Sequence, residues 1–299
     1  MRFLASIPSP SSGVIHIGPL AIHAYGLMIA LGVVASVWLA GRRLEAAGAG
    51  SRDDFTNIAM WGVAAGVVGA RLYYIITDKS QPWKAPSRWL KIWEGGLGIP
   101  GGLILGALVG LWAAKRRGIS MSATLTAGAP AIPLAQAIGR WGNWFNQELF
   151  GKQTTLPWGL RIDAAHLPAG YPPGTLFHPT FLYESLWNFA LCGVLLQIEK
   201  RVRLRPGRLM AIYVVGYSIG RFWVEGLRID PANQGGSWRL NQWVAVVAGL
   251  LATIYLLLDA KRHRYDEPGL ATHAGDRATD DVDADEPYDA EIYDDEEMP

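Results

Sequence analysis

The stretch of residues 20–40 reads LAIHAYGLMIALGVVASVWLA and contains no Asp, Glu, Lys or Arg. A helix needs about 20 mostly apolar residues to cross the hydrocarbon core of a bilayer. Six further segments of this character follow along the 299-residue chain: 55–77, 95–114, 121–138, 180–198, 209–224 and 240–258. We therefore predict an all-α polytopic membrane protein with seven transmembrane helices.

The charges divide the chain into two regions. Residues 265–299 contain 14 of the 26 acidic residues and one basic residue, whereas residues 1–264 contain 26 basic and 12 acidic residues. The tail has too little apolar surface to fold alone. We predict a membrane domain over residues 1–264 and an acidic, disordered cytoplasmic tail over residues 265–299. A disulfide scaffold is excluded, because Cys192 is the single cysteine.

Basic residues in short loops predict the orientation, because cytoplasmic loops carry an excess of Lys and Arg. Such residues follow predicted helices 1, 3, 5 and 7: Arg42, Arg43, Arg52, Lys115, Arg116, Arg117, Lys200, Arg201, Arg203, Arg205, Arg208, Lys261, Arg262 and Arg264. We expect an outer N-terminus, a cytoplasmic C-terminus and an outward-facing polar region over residues 139–179. Lys79, Lys84, Arg88 and Lys91, between helices 2 and 3, are an exception.

Glycines recur every four residues on two predicted helices. Gly98, Gly102, Gly106 and Gly110 lie on helix 3, and residues 62 and 66 on helix 2 are also glycines. Small residues at this spacing let helix backbones approach closely in lipid. We expect these glycines to serve helix packing rather than chemistry.

Ionisable residues inside predicted spans are candidates for a functional site. Each costs roughly 2.5 to 3.5 kcal/mol on insertion scales, so it is retained where it has a role. Arg71, Glu184 and Arg221 are of this kind.

The outer polar region opens with GRWGNWFNQE at residues 139–148 and continues to Gly151. It combines an arginine, two asparagines and a carboxylate with aromatic residues at the membrane surface. Such a set can bind an anionic head group beside its acyl chains. A buried polar network that only shapes an outer loop is the alternative.

Helix 6 carries Tyr217, Arg221, Glu225 and Arg228, spaced by four, four and three residues on one stripe. Glu225 can neutralise one arginine and leave the other to hold a phosphate through its planar N–H donors. A self-compensated ion pair at a helix end is the alternative.

Further polar residues lie at the same predicted depth. His23 and Tyr25 begin helix 1, and His178 precedes helix 5. Single His or Tyr residues there are commonly interfacial anchors. The convergence of four segments nevertheless favours an outward-facing site for an anionic lipid.

These stretches together resemble the signature of the bacterial phosphatidylglycerol:prolipoprotein diacylglyceryl transferases. The resemblance covers roughly residues 14–260 and leaves out the tail. It implies a multi-pass protein of the bacterial cytoplasmic membrane. The matching stretches are residues 139–148, His23-Ala24-Tyr25-Gly26-Leu27, Gly69-Ala70-Arg71-Leu72, His178-Pro179-Thr180-Phe181-Leu182-Tyr183-Glu184 and residues 217–228.

The resemblance implies an enzyme that transfers the diacylglyceryl group of phosphatidylglycerol to the lipobox cysteine thiol of a prolipoprotein signal peptide. A thioether forms and glycerol phosphate leaves. Arginines suit this reaction, because they stabilise charge on a leaving phosphate and favour thiolate. The implied catalytic residues are Arg140, Arg221 and Tyr25. The expected phosphatidylglycerol-binding residues are Arg140, Asn143, Asn146, Glu148, Gly151, Arg71, Tyr217, Glu225, Arg228, His23 and His178.

We expect no cofactor, metal or nucleic-acid partner, because the sequence has no Gly-rich phosphate loop and no Cys/His metal spacing. The sequence departs from the family at one position. Many members carry a histidine, proposed as a base, before the double glycine of helix 3, where this chain has Pro100. Electrostatic activation of the thiol is therefore favoured over His23 or His178 as a base. An anion or lipid transporter is the rival function class, and a structural membrane scaffold is the third.

Overall fold

The computed structural model describes residues 6–18, 20–78, 89, 96–202, 204–205, 207–230, 234–235 and 237–262. Within these ranges the chain is mostly helical. The helices are α1 Ala24–Ala46, α2 Arg52–Thr77, α3 Ile99–Arg116, α4 Met121–Gly139, α5 Trp141–Asn146, α6 Thr180–Arg201, α7 Arg208–Leu227 and α8 Leu240–Arg262. The strands are β1 Ile7–Pro8, β2 Val14–Ile17, β3 Leu20–His23, β4 Leu160–Arg161, β5 Leu176–Phe177, β6 Gln234–Gly235 and β7 Trp238–Arg239.

Every predicted span coincides with a long helix, and α5 is an additional short one. By length and composition, α1, α2, α6 and α8 can cross a membrane. The architecture is that of a polytopic all-α membrane protein. The first helix begins four residues later than predicted, because residues 20–23 pair as β3 with the antiparallel strand β2. The predicted tail, residues 265–299, and the basic residues Lys79, Lys84, Arg88 and Lys91 lie outside the described residues.

The glycines of α2 and α3 face each other across a close helix contact, as their spacing predicts. A Cβ atom at Gly106 would lie 2.9 Å from the carbonyl oxygen of Gly62. A Cβ atom at Gly102 would lie 3.0 Å from that of Gly66. The absence of side chains therefore lets the two backbones touch.

One end of the bundle is held by ion pairs between neighbouring helices, and we call it the basic end. Arg43 of α1 donates two hydrogen bonds of 2.7 Å to the carboxylate of Glu199 in α6 and one of 2.8 Å to the Thr126 carbonyl in α4. Further pairs are Arg52–Glu45 at 2.5 Å, Arg117–Asp54 at 3.0 Å and Arg208–Asp259 at 2.5 Å. The ends of α1, α3, α6 and α8 thus share a face with the starts of α2, α4 and α7.

The opposite end, which we call the polar end, carries α5 and a small sheet of order β1-β4-β5. An aromatic cluster anchors this sheet to the helices. Phe150 and Phe177 are buried with ring centres 4.8 Å apart, and Phe181 lies 5.5 Å from the ring of Trp141 in α5. This packing fixes α5 against the first turn of α6.

Candidate active site

Arg140 lies where α4 ends and α5 begins. The neighbouring Trp141 donates a 3.1 Å hydrogen bond from Nε1 to the hydroxyl of Ser185 in α6. That hydroxyl donates in turn to the Ala137 carbonyl of α4 at 2.9 Å. The junction is therefore held against α6, with Arg140 beside Glu184.

Glu184 of α6 bridges two arginines that are 81 positions apart in sequence. Its Oε1 accepts a 2.8 Å hydrogen bond from Nη1 of Arg221, and its Oε2 forms an ion pair with Nε of Arg140. The Glu184 side chain is only 7% exposed. A buried carboxylate is costly unless its charge is compensated, and here both arginines compensate it.

Glu225, one turn after Arg221 on α7, is fully buried and contacts three arginines. Its Oε2 forms an ion pair with Nη2 of Arg221 at 2.7 Å and accepts a hydrogen bond from Nη1 of Arg228 at 3.3 Å. Its Oε1 accepts from Nε of Arg239 at 2.7 Å and from the amide of Asn241 at 3.2 Å. This carboxylate therefore ties the end of α7 to the start of α8.

Asp230 adds a third carboxylate to this network. It accepts hydrogen bonds of 2.8 and 2.9 Å from Arg228 and one of 2.9 Å from Arg239. Burial opposes its ionisation, but these arginines lower the pKa of Asp230 below its ordinary value. We refer to Arg140, Arg221, Arg228 and Arg239, with Glu184, Glu225 and Asp230, as the arginine cluster.

Arg140 keeps donors that no described residue uses. The prediction that Glu225 leaves one arginine of its own stripe free is wrong, because Arg221 and Arg228 are each held by two carboxylates. Arg140 instead has a free Nη2 among the described residues, and its Nη1 reaches only Oδ1 of Asn143 at 3.4 Å. Its side chain is 23% exposed, against 14% for Arg221 and 8% for Arg228.

Tyr25 and the predicted amides lie next to Arg140. A Cβ atom at Gly142 would lie 2.7 Å from Cδ2 of Tyr25, so glycine is needed for the ring to pack on α5. The Tyr25 hydroxyl lies beside Asn143. Glu148 accepts hydrogen bonds from Asn143 at 2.8 Å and from Asn146 at 3.5 Å. The structure therefore brings four residues of the predicted site close to Arg140: Tyr25, Asn143, Asn146 and Glu148.

Gly151 connects the polar end to the last turn of α7 by a backbone bridge to Arg228. Its amide donates to the His178 carbonyl at 2.9 Å. A Cβ atom there would lie 2.8 Å from Cβ of His178 and 3.1 Å from the Leu227 carbonyl oxygen. The glycine thus permits the backbone approach that positions Arg228.

A narrow cleft opens beside the arginine cluster and combines charge with apolar surface. Its lining residues are Arg140, Asn143, Leu149, Thr180, Phe181, Glu184 and Arg228. The walls of this cleft are therefore partly charged and partly apolar.

Arg71 and Tyr217, both predicted to bind phosphatidylglycerol, make protein contacts outside the arginine cluster. Arg71 donates to the carbonyls of Trp89 at 2.9 Å and Gly96 at 3.0 Å. The Tyr217 ring stacks on Tyr213, with centres 5.8 Å apart, against the apolar cluster between α4, α6 and α7.

The two predicted histidines also lie outside the cluster. His23 is the exposed residue before α1. His178 Nδ1 lies 3.1 Å from the Tyr183 hydroxyl, which accepts a hydrogen bond from Trp158. Burial, with a contribution from Lys152, lowers the pKa of His178, so the imidazole is neutral at pH 7.

Sequence reasoning named Glu184 as a candidate for the site but did not assign Asp230 or Arg239 to it. In the sequence, Glu184 stands out as a charge within an apolar segment, but the sequence does not show which two residues pair with it. Arg239 had a weaker signal, since it is a basic residue directly before an apolar segment on the predicted outer side.

Comparisons with known proteins identify the family of this chain. Residues 12–258 match the family of prolipoprotein diacylglyceryl transferases. The chain is 50% identical over 264 residues to phosphatidylglycerol–prolipoprotein diacylglyceryl transferase 2 of Streptomyces coelicolor, covering 87% of this chain and 83% of the relative. It is 48% identical over 262 residues to the corresponding transferase of Cutibacterium acnes, covering 86% and 88%. The chain therefore belongs to the prolipoprotein diacylglyceryl transferase family.

Proposed function

We propose that this protein transfers the diacylglyceryl group of phosphatidylglycerol to the lipobox cysteine of prolipoproteins. The names of its relatives support the reaction and both substrates. The observation that carries the proposal to this chain is the unused Nη2 donor of Arg140 in a cleft that also has apolar walls.

The chemistry requires an anion site at the bond that breaks. The cysteine thiol loses its proton to water, and the thiolate attacks the diacylglyceryl CH2 carbon. The carbon–oxygen bond to phosphate then breaks, and its electron pair stays on the departing glycerol phosphate. The phosphate gains one negative charge in this step, so cationic donors aimed at it lower the barrier.

The cluster suggests separate roles for its arginines. Arg140 has free donors and contacts the lipid phosphate, and Arg221 stabilises the charge that develops as the bond breaks. Both are cationic, which favours the thiolate form of a cysteine brought beside them. Tyr25 completes the proposed catalytic set.

Six of the remaining predicted residues have supporting roles in this proposal. Asn143, Asn146 and Glu148 form the polar surface around Arg140, and Glu225, Gly151 and Arg228 hold the end of α7 against it. No histidine base is required in this proposal.

The membrane topology is also part of the proposal. All seven long helices span the bacterial cytoplasmic membrane, with the polar end outside and the basic end in the cytoplasm. The exposed basic residues Arg42, Lys115, Lys200 and Lys261 support this orientation. Residues 1–264 form the transferase domain, and residues 265–299 form a cytoplasmic tail.

The test uses purified full-length protein in detergent with phosphatidylglycerol and a lipobox peptide. We expect the peptide to gain the mass of a diacylglyceryl group, and a peptide with serine in place of the cysteine to gain none. Lack of modification in the presence of both substrates would contradict the proposed reaction. Movement of lipid across vesicles without peptide modification would instead favour a transporter.

A further inference from the structure

We propose that Arg239 is a positioning residue for the transfer reaction, acting on Arg221 through their shared partner Glu225. The inference rests on the proposed function. Arg239 belongs to β7, outside the motifs that indicate the family, and it reaches the site only through the fold.

All three guanidinium nitrogens of Arg239 are engaged. Nε donates to Glu225 at 2.7 Å, and Nη2 donates to the Asp230 carboxylate at 2.9 Å. Nη1 donates to the backbone carbonyls of Arg228 at 3.2 Å and Asp230 at 2.9 Å. Its side chain is 13% exposed. Arg239 therefore braces the segment after α7, and four of its five N–H donors are bonded to described residues.

The burial of Glu225 makes this brace important for Arg221. Glu225 is 0% exposed, and Arg239 is the cationic donor to its Oε1, whereas Arg221 and Arg228 donate to Oε2. Without Arg239, Oε1 keeps the neutral amide of Asn241. The Glu225 carboxylate then attracts the Arg221 guanidinium more strongly.

A shift of Arg221 is transmitted to the reacting phosphate. Arg221 also holds Glu184, which in turn pairs with Arg140. Displacement of a charged group by about 1 Å can cost on the order of 100-fold in rate. Because Arg221 stabilises charge that develops during bond breaking, the loss falls on kcat rather than on KM for phosphatidylglycerol.

The chain offers a matched control at the other end of the same two helices. Arg208 of α7 pairs with Asp259 of α8 at 2.5 Å at the basic end. Arg208 and Arg239 thus both link α7 to α8, but of these two only Arg239 is part of the arginine cluster. A general loosening of the two helices would affect both variants alike.

The experiment compares Arg239→Gln, Arg239→Lys and Arg208→Gln by steady-state transfer kinetics and thermal stability in detergent. For Arg239→Gln we expect kcat to fall about tenfold and KM for phosphatidylglycerol to change less than about threefold. Arg239→Lys should recover part of kcat, since a positive charge beside Glu225 remains. Arg208→Gln should keep kcat within about twofold, whatever its effect on Tm.

Three results would overturn the inference: unchanged kcat in Arg239→Gln, an equal loss in Arg239→Lys, or an equal loss in Arg208→Gln. If Arg239→Gln does not accumulate in membranes, Arg239→Lys against Arg208→Lys gives the same comparison. Lack of transfer by the unsubstituted protein would contradict the proposed function and this inference with it. Normal transfer by that protein with unchanged variants would contradict the inference alone.

Discussion

The two ends of the helix bundle both contain ion pairs, but they use them differently. At the basic end the ion pairs connect neighbouring helices, as in Arg43–Glu199 and Arg208–Asp259. At the polar end Glu184 contacts two arginines and Glu225 contacts three. The pairs at the basic end thus join neighbouring helices. Shared carboxylates gather several cations in one place, which is what binding of an anion requires.

The largest expected effect comes from a comparison of one substitution at the polar end with one at the basic end. Arg140→Lys should lower kcat/KM at least about 100-fold, because lysine keeps the charge but loses the planar pair of donors. Arg43→Lys, at the basic end, should retain turnover per folded molecule. Transfer of labelled phosphatidylglycerol to a lipobox peptide measures both. Similar rates for the two variants would mean that the ends do not differ in function.

A second prediction concerns the packing of Tyr25 on α5. Gly142→Ala places a methyl group 2.7 Å from the Tyr25 ring, so the ring must move away from Asn143. We expect turnover to fall about tenfold. Gly128→Ala is the control, since a Cβ atom there meets nothing within 4 Å. A normal rate in Gly142→Ala would show that the position of Tyr25 is not critical.

His178 tests whether the polar end contains a histidine base. Its pKa is lowered, so the ring is uncharged at and above pH 7 in the folded protein and its removal changes no charge there. His178→Gln should keep turnover within about threefold and leave the pH–rate profile between about pH 7 and pH 8.5 unchanged in shape. Loss of turnover with intact lipid binding would identify His178 as the base.

Breaking the basic end should affect stability rather than chemistry. Arg43→Gln removes both bonds to Glu199 and the bond to the Thr126 carbonyl, all among packed helices. We expect Tm to fall by about 4 to 8 °C with kcat within about twofold at low temperature. A specific fall in kcat without loss of Tm would show that the two ends are coupled.

The smallest effect is expected for removal of the acidic tail. Truncation after Arg264 should leave the turnover of purified enzyme unchanged, because α8 ends at the basic end and the acidic segment has too little apolar surface to fold into the proposed site. Rates of the full and truncated proteins in the same detergent give the comparison. A large loss in the purified truncated enzyme would overturn the assignment of residues 1–264 as the complete catalytic unit.

The sequence by itself determined the helical membrane architecture. Hydropathy and glycine spacing are properties of contiguous residues, so all seven long helices and the contact between α2 and α3 could be predicted. The sequence also identified Arg140, Asn143, Glu148 and Arg221 as polar residues at one depth. The predicted start of α1 was wrong, because the residues there form β3 by pairing with β2. Such pairing depends on a neighbouring strand and not on local hydropathy.

Only the tertiary structure decided how the charges are shared. Arg239 is 14 residues from Glu225 and contacts it only because the segment after α7 folds back to start α8. Arg71 and Tyr217 are of the right residue types, but the contacts that the structure shows for them lie outside the arginine cluster. The physical reason is that ion pairing depends on distance in space and on burial. A local pattern can propose charged residues, whereas the fold selects which of them meet.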